Sequence, residues 1–221
     1  MDPRARRSRA ALADAVYRLA AERDIESISV TEITAAAGVS RDTFYRHADD
    51  PVDLLARSLH EELAGALGVF RELPAGSGSG ESVFAAPARV LIGHVRDHAA
   101  VYRQAPGGRL SGRLRQVLLD VSADILARHL KRHPGIAPED IDLEDPAVFA
   151  MTVSYAAGGT VAAVEAWLAG GMVLPVDDAV AVMLAAAPRW WLGVAGSGPG
   201  SVSGGGAGAG ALRPGRTRAP E

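Results

Sequence analysis

The side chains in this 221-residue chain that can do chemistry are few and scattered. It has no cysteine, which removes disulfides, thiolate metal sites and cysteine nucleophiles together. His94 and His98 stand four residues apart, a spacing that puts two imidazoles on one helix face and suits a metal ion. No H-E-x-x-H arrangement or third ligand stands beside them, so no metal site is expected. The other histidines, His47, His60, His129 and His133, form no readable grouping with serine and aspartate. GGGAGAG, Gly204 to Gly210, follows no strand and opens no helix, so it is not a phosphate loop. These readings point away from an enzyme and from any cofactor. GVSRDTFYRH, Gly38 to His47, is different: a glycine, a serine and two adjacent aromatics lie among basic residues. Arg41 or Arg46 can bind guanine or phosphate, and Thr43 can meet a thymine methyl, a base edge or a phosphate. Tyr45 and His47 can donate to phosphate oxygens.

Such groups work only if helices hold them. Apolar residues recur at helical spacing in a first helix over about 7–22, through Leu12, Val16 and Leu19. Ser29 and Glu32 form an S-x-x-E capping box that opens a short second helix, and Gly38 stops it. Ser40 can cap a third helix over about 41–47. Asp49 or Asp50 can cap a fourth, with Pro51 in its first turn, running to about residue 72. Two short helices joined by a tight turn make a helix-turn-helix, with Ile33, Ala37, Val39 and Phe44 facing inward. Helix N-termini favour phosphate, which brings Ser29 and Thr31 toward a DNA backbone. Arg4, Arg6, Arg7 and Arg9 oppose only Asp2 and give the first ten residues a charge of about +3, the footprint of a phosphate contact. The whole chain nonetheless carries a net charge of −3.

Beyond the PAGSGSG loop, Pro74 to Gly80, helices are expected over about 81–97, 99–104, 112–132, 145–169 and 177–192. Abundant alanine and few β-branched segments make the expected fold all-α. Three units follow: 1–50 with the helix-turn-helix and basic arm, 51–192 as a helical regulatory and dimerisation domain, and 193–221 as a disordered Gly/Ser-rich tail. Pro146 to Val164 is free of charge over 19 residues, long enough to span a bilayer. Its threonine, serine, tyrosine and glycine content and its close acidic flanks, Asp145 and Glu165, favour a buried helix and no membrane. No apolar signal segment opens the chain, so a cytoplasmic location is expected.

In order, ISVTEITAAAGVSRDTFYRHADDPVDLLARSL resembles the DNA-binding domain of the TetR family of bacterial transcriptional regulators. The pattern lies in Ile33 and the small residues after it, then Ala37-Gly38-Val39-Ser40, then Thr43 to His47, then Leu54-Leu55. The resemblance covers about residues 8–60 and implies a dimer on a palindromic operator. The DNA-facing set is then Arg6, Arg7, Ser29, Thr31, Ser40, Arg41, Thr43, Tyr45, Arg46 and His47. Two positions depart from the family's pattern. Ala48 stands where phenylalanine is usual, and Pro51 where a phosphate-holding lysine is common; Asp49 and Asp50 add negative charge beside them. The lost lysine implies weaker, less salt-dependent binding, offset by the arginine arm.

The second half resembles the family's regulatory half loosely, which implies a small-molecule pocket and a dimer interface. The candidate lining groups are His94, Tyr102, Phe149, Met151 and Tyr155, and they point to an apolar or amphipathic effector. The last two helices are apolar on more than one face and must be covered. A homodimer through these helices is expected, with close approach at Gly158, Gly159, Ala162 and Ala163 and large burial by Trp167, Trp190 and Trp191. The function expected is a repressor released from its operator by a small, largely apolar ligand. The alternative is a regulator of the same fold without ligand response, acting as an activator or architectural factor.

Overall fold

A computed structural model describes residues 3–76, 81–103, 110–138, 140–188 and 190, and the expected tail lies outside them. Among the described residues the regular structure is entirely helical. The elements are α1 (Pro3–Glu22), α2 (Val30–Ala37), α3 (Arg41–Tyr45), α4 (Pro51–Leu67), α5 (Ala85–Asp97), α6 (Ala99–Tyr102), α7 (Gly112–Arg132), α8 (Pro146–Ala169) and α9 (Val176–Ala186).

Local chemistry accounts for most of the boundaries. Asp50 caps α4, with its side chain accepting from the Asp53 amide at 2.7 Å, and Pro51 occupies the first turn. Ser111 caps α7 by accepting from the Leu114 amide, and Asp145 caps α8 by accepting from the amides of Ala147 and Val148. Some ends differ from expectation. α1 begins at Pro3 and carries the arginine cluster on helix rather than on a loose arm. α4 stops at Leu67 and tightens into a 3-10 turn over Gly68–Phe70. α5 starts later than expected, at Ala85. α9 ends at Ala186 ahead of Pro188, and Trp191 is outside the described residues.

The core is continuous. α1 packs on α2, α4 and α6; α4 packs on α5 and α7; α7 packs on α8; and α5 packs on α9. Leu54, Leu55, Leu59, Leu63 and Leu67 run along the buried side of α4, which at 17 residues spans about 25 Å. This helix joins the N-terminal helices to the rest. A division at residue 50 therefore falls just ahead of a helix that both parts share.

α8 departs from the reading of a buried helix. It packs on α7 through Val153, Ala156, Ala157, Val161, Val164 and Leu168, yet only 28% of its most apolar window is buried. Met151 and Tyr155 are each 73% exposed. By length and composition it is the one helix among the described residues able to cross a membrane. Trp167 and Trp190 turn toward their own chain's core, and the Trp167 indole N–H donates to the Leu174 carbonyl at 2.9 Å.

Candidate DNA interface and effector cavity

The capping box at the start of α2 is complete. The Ser29 hydroxyl accepts from the Glu32 amide at 3.2 Å, and the Glu32 carboxylate accepts from the Ser29 amide at 2.9 Å. Arg23 pairs with the same carboxylate, and these bonds hold Glu32 at about 2, far below the usual carboxylate range. Gly38 ends the helix in the left-handed region, φ 65° and ψ 34°, where a Cβ would be strained. Ser40 then caps α3, accepting from the Thr43 amide at 3.2 Å, and its hydroxyl lies 2.9 Å from that of Thr43.

Ile33 and Phe44 are fully buried between α2, α3 and the rest of the core. Phe44 locks the orientation of α3, which leaves Arg41, Asp42, Tyr45 and Arg46 exposed and Thr43 half-buried. Tyr45 lies edge-on to Phe44 with ring centroids 5.4 Å apart, and its hydroxyl end reaches outward. Arg46 pairs with Asp42 one turn back, whereas Arg41 carries no ion pair among the described residues. His47 sits past the end of α3, half-buried, with Nε2 3.1 Å from the Ser8 hydroxyl of α1. Burial and the neighbouring Arg9 and Arg46 hold its imidazole below its ordinary value.

The segment after α3 is built around Asp53. The Asp49 amide donates to its carboxylate at 3.1 Å, Arg57 Nε lies at 2.8 Å, and Arg113 of α7 reaches it at 3.4 Å. Burial raises the Asp53 value, and the guanidinium and amide bonds overcome it, so the net shift is downward. Arg57 also faces Asp49 at 3.7 Å. The acids that follow the recognition segment are thus occupied in capping and pairing. Ala48 is buried and fills a core position.

In the second half a cavity of about 600 Å³ opens between α5, α7, α8 and α9. Phe84, Leu91, Ile125 and Met183 give it apolar walls. The Ser122 hydroxyl is buried there without a hydrogen-bond partner. Arg115, paired with Glu165 at 3.4 Å, stands on the wall. The size lies within the range of small-molecule pockets.

Residues 12–57 match the model of the tetR family of bacterial regulatory proteins. Over that segment the chain is similar to the tetR family. This is a family of regulators rather than of enzymes. Solved structures similar to the chain extend well beyond this domain. One is the dihydroxyacetone kinase operon activator DhaS, with 15% identity, a TM-score of 0.54, and coverage of 80% of this chain and 92% of that one. Another is the fatty acid degradation regulator FadR from Bacillus halodurans, with 17% identity, a TM-score of 0.56, and coverage of 78% and 94%. A third is a tetR-family transcriptional regulator from Streptomyces coelicolor, with 19% identity, a TM-score of 0.51, and coverage of 80% and 77%. At these identities the likeness is one of fold. No curated protein matches the chain significantly.

The expected DNA-facing residues differ in exposure and in freedom. Ser29, Thr31, Ser40, Arg41, Tyr45 and Arg46 are exposed, as are Arg6 and Arg7 on α1. Ser29 and Ser40 are engaged as caps, Arg46 is paired, and His47 ties α3 to α1. The expected effector residues do not converge. Tyr155 lines the cavity, whereas Met151 points to solvent and Phe149 lies under Lys131. His94 and Tyr102 bond to each other at 3.2 Å beside Glu62 of α4, away from the cavity. Ser122 and Glu62 were missed. A readable signal existed for Ser122, a lone hydroxyl on the apolar stripe of Leu118, Val121 and Ile125.

Proposed function

We propose that the chain is a dimeric transcriptional repressor that reads a palindromic operator through α3 and is released by a small, largely apolar effector. The observation that carries the reading is α3 itself. A capped, Phe44-anchored helix presents Arg41 and Tyr45 on one exposed face, with Thr43 half-buried beside the Ser40 cap, and the cluster of Arg6 and Arg7 on α1 supplies phosphate contacts. A single α3 reads only a few bases, so two copies spaced about 34–36 Å apart gain a full site. The exposed residues of α8 and α9, namely Met151, Tyr155 and Val182, together with the uncovered Gly159 and Ala162, support pairing of these helices with their copies, and all but Met151 also line the cavity, so a partner's helices would help to close it.

The cavity favours a ligand-responsive regulator over one of the same fold without a ligand. It has room, mostly apolar walls and, at Ser122, a buried hydroxyl without a partner, which suit a mainly apolar molecule that carries a hydrogen-bonding group. An effector that binds better to the conformer with wrongly spaced α3 helices lowers operator affinity by that difference. The test is selection of binding sites from random duplexes with purified protein at low salt. A two-fold symmetric site is expected. Its occupancy in a reporter strain should fall, and expression should rise, when a cavity ligand is supplied. Recovery of no sequence preference refutes the operator reading, and lower expression on release marks an activator.

A further inference from the structure

We propose that Glu62, His94 and His98 form a binding site for a divalent transition-metal ion of the zinc class, between α4 and the α5–α6 corner. One donor atom from each lies within 4.8 Å of the others, the one such group among the described residues. His98 Nε2 is 2.8 Å and His94 Nδ1 is 3.4 Å from the same Glu62 oxygen. Tetrahedral zinc with nitrogen and oxygen ligands needs donors about 3.3 Å apart, so small side-chain movements suffice. Two neutral imidazoles and a carboxylate, with a fourth position for water, suit zinc, cobalt or nickel and not magnesium or calcium.

The surroundings orient the donors. Tyr102 Oη contacts His94 Nε2 at 3.2 Å, which occupies the far side of that ring and leaves Nδ1 facing Glu62. Metal-bound imidazoles are commonly held in this way. His94 is buried, whereas the Glu62 side chain is 46% exposed, so an ion has access from solvent. Sequence spacing hid the third ligand because Glu62 is 32 residues before His94 and on another helix. Tyr17 of α1 packs on the His98 ring at 4.9 Å. A bound ion would therefore tie α4 to the α5–α6 corner where α1 packs on α4 and α6, away from the effector cavity.

The experiment uses full-length protein stripped with a chelator, without DNA, so its outcome is independent of the operator reading. Cobalt(II) is followed by visible absorption and zinc(II) by calorimetry. The expected result is one ion per chain, intense low-coordinate cobalt bands, and their loss on adding zinc. Glu62→Gln and His98→Asn should each weaken binding at least about tenfold. Both change partly exposed side chains, and circular dichroism checks that they fold. His133→Asn should bind as the parent does. Absence of cobalt bands and of zinc heat up to about 100 μM metal overturns the proposal. So does unchanged binding in folded Glu62→Gln and His98→Asn, which would place the ion elsewhere.

Discussion

Arg41, unlike Arg46, carries no ion pair among the described residues. Arg46 must first leave Asp42. Arg41→Ala is expected to weaken operator binding and lower the salt slope by about one if the contact is to phosphate, or relax one base position at about 1–3 kcal/mol if it is to guanine. Fluorescence anisotropy across a salt series separates the two. Ser122 offers the opposite kind of test. Its hydroxyl has no partner inside an apolar cavity, so Ser122→Ala should raise stability by about 1 kcal/mol while weakening any effector that bonds to it. Urea melts with and without ligand measure both effects, and a variant that is destabilised and binds normally contradicts the assignment. The capping roles of Ser29 and Ser40 and the turn at Gly38 were legible in the sequence because each depends on residues three or four positions apart. The partners of His47 and His94 were not, since Ser8 and Glu62 lie on other helices and meet them only through packing.

Among the elements, α4 bears on both parts of the chain, and Asp53 is where its first turn is fastened to α7. Asp53→Asn keeps the shape and removes the charge that Arg57 and Arg113 face. Both guanidinium groups are more than half exposed, so the loss is expected at about 1–2 kcal/mol, less than for a fully buried pair. Urea denaturation checks it, and the Asp50 cap should persist as unchanged helix content. α7 carries a second sensitivity. His129 is 3% exposed, neither ring nitrogen has a hydrogen-bond partner, and the Phe84 ring lies edge-on against it. Burial, then the nearby His133, push its value down to about 4. The folded value lies below the ordinary 6.5, so its neutral form is favoured in the folded chain. Stability is therefore complete above about pH 6.5 and is lost as pH falls toward 4. Urea midpoints from pH 7 to 4 should fall less steeply in His129→Leu. Helix order and type were legible from apolar spacing. Several ends were not, because the 3-10 turn after α4 and the stop of α9 before Pro188 are settled by packing and backbone geometry rather than by periodicity.

For the molecule as a whole, the exposed apolar side chains of α8 and α9 call for a cover. Light scattering is expected to give twice the 22.9 kDa chain mass. Met151→Asp, on the exposed side of α8 and outside the cavity lining, should shift it toward monomer and weaken binding to a symmetric operator far more than to a half-site. A monomeric parent chain refutes the pairing. That these helices are apolar all round was plain from sequence; which aromatics face outward was not, since Trp167 is turned inward by its bond across the α8–α9 turn. The acids after α3 have a further consequence, one of search rather than of affinity. On the proposed reading Asp49, Asp50 and Pro51 lie beside the DNA-facing segment with no basic residue among them, and the chain's net charge is negative. A reader so built is held less by the vast excess of irrelevant DNA, since sequence-independent binding comes almost wholly from phosphate neutralisation. More of its copies stay free to sample and find their site, and the ratio of right to wrong occupancy is kept even where the grip on the right site is modest.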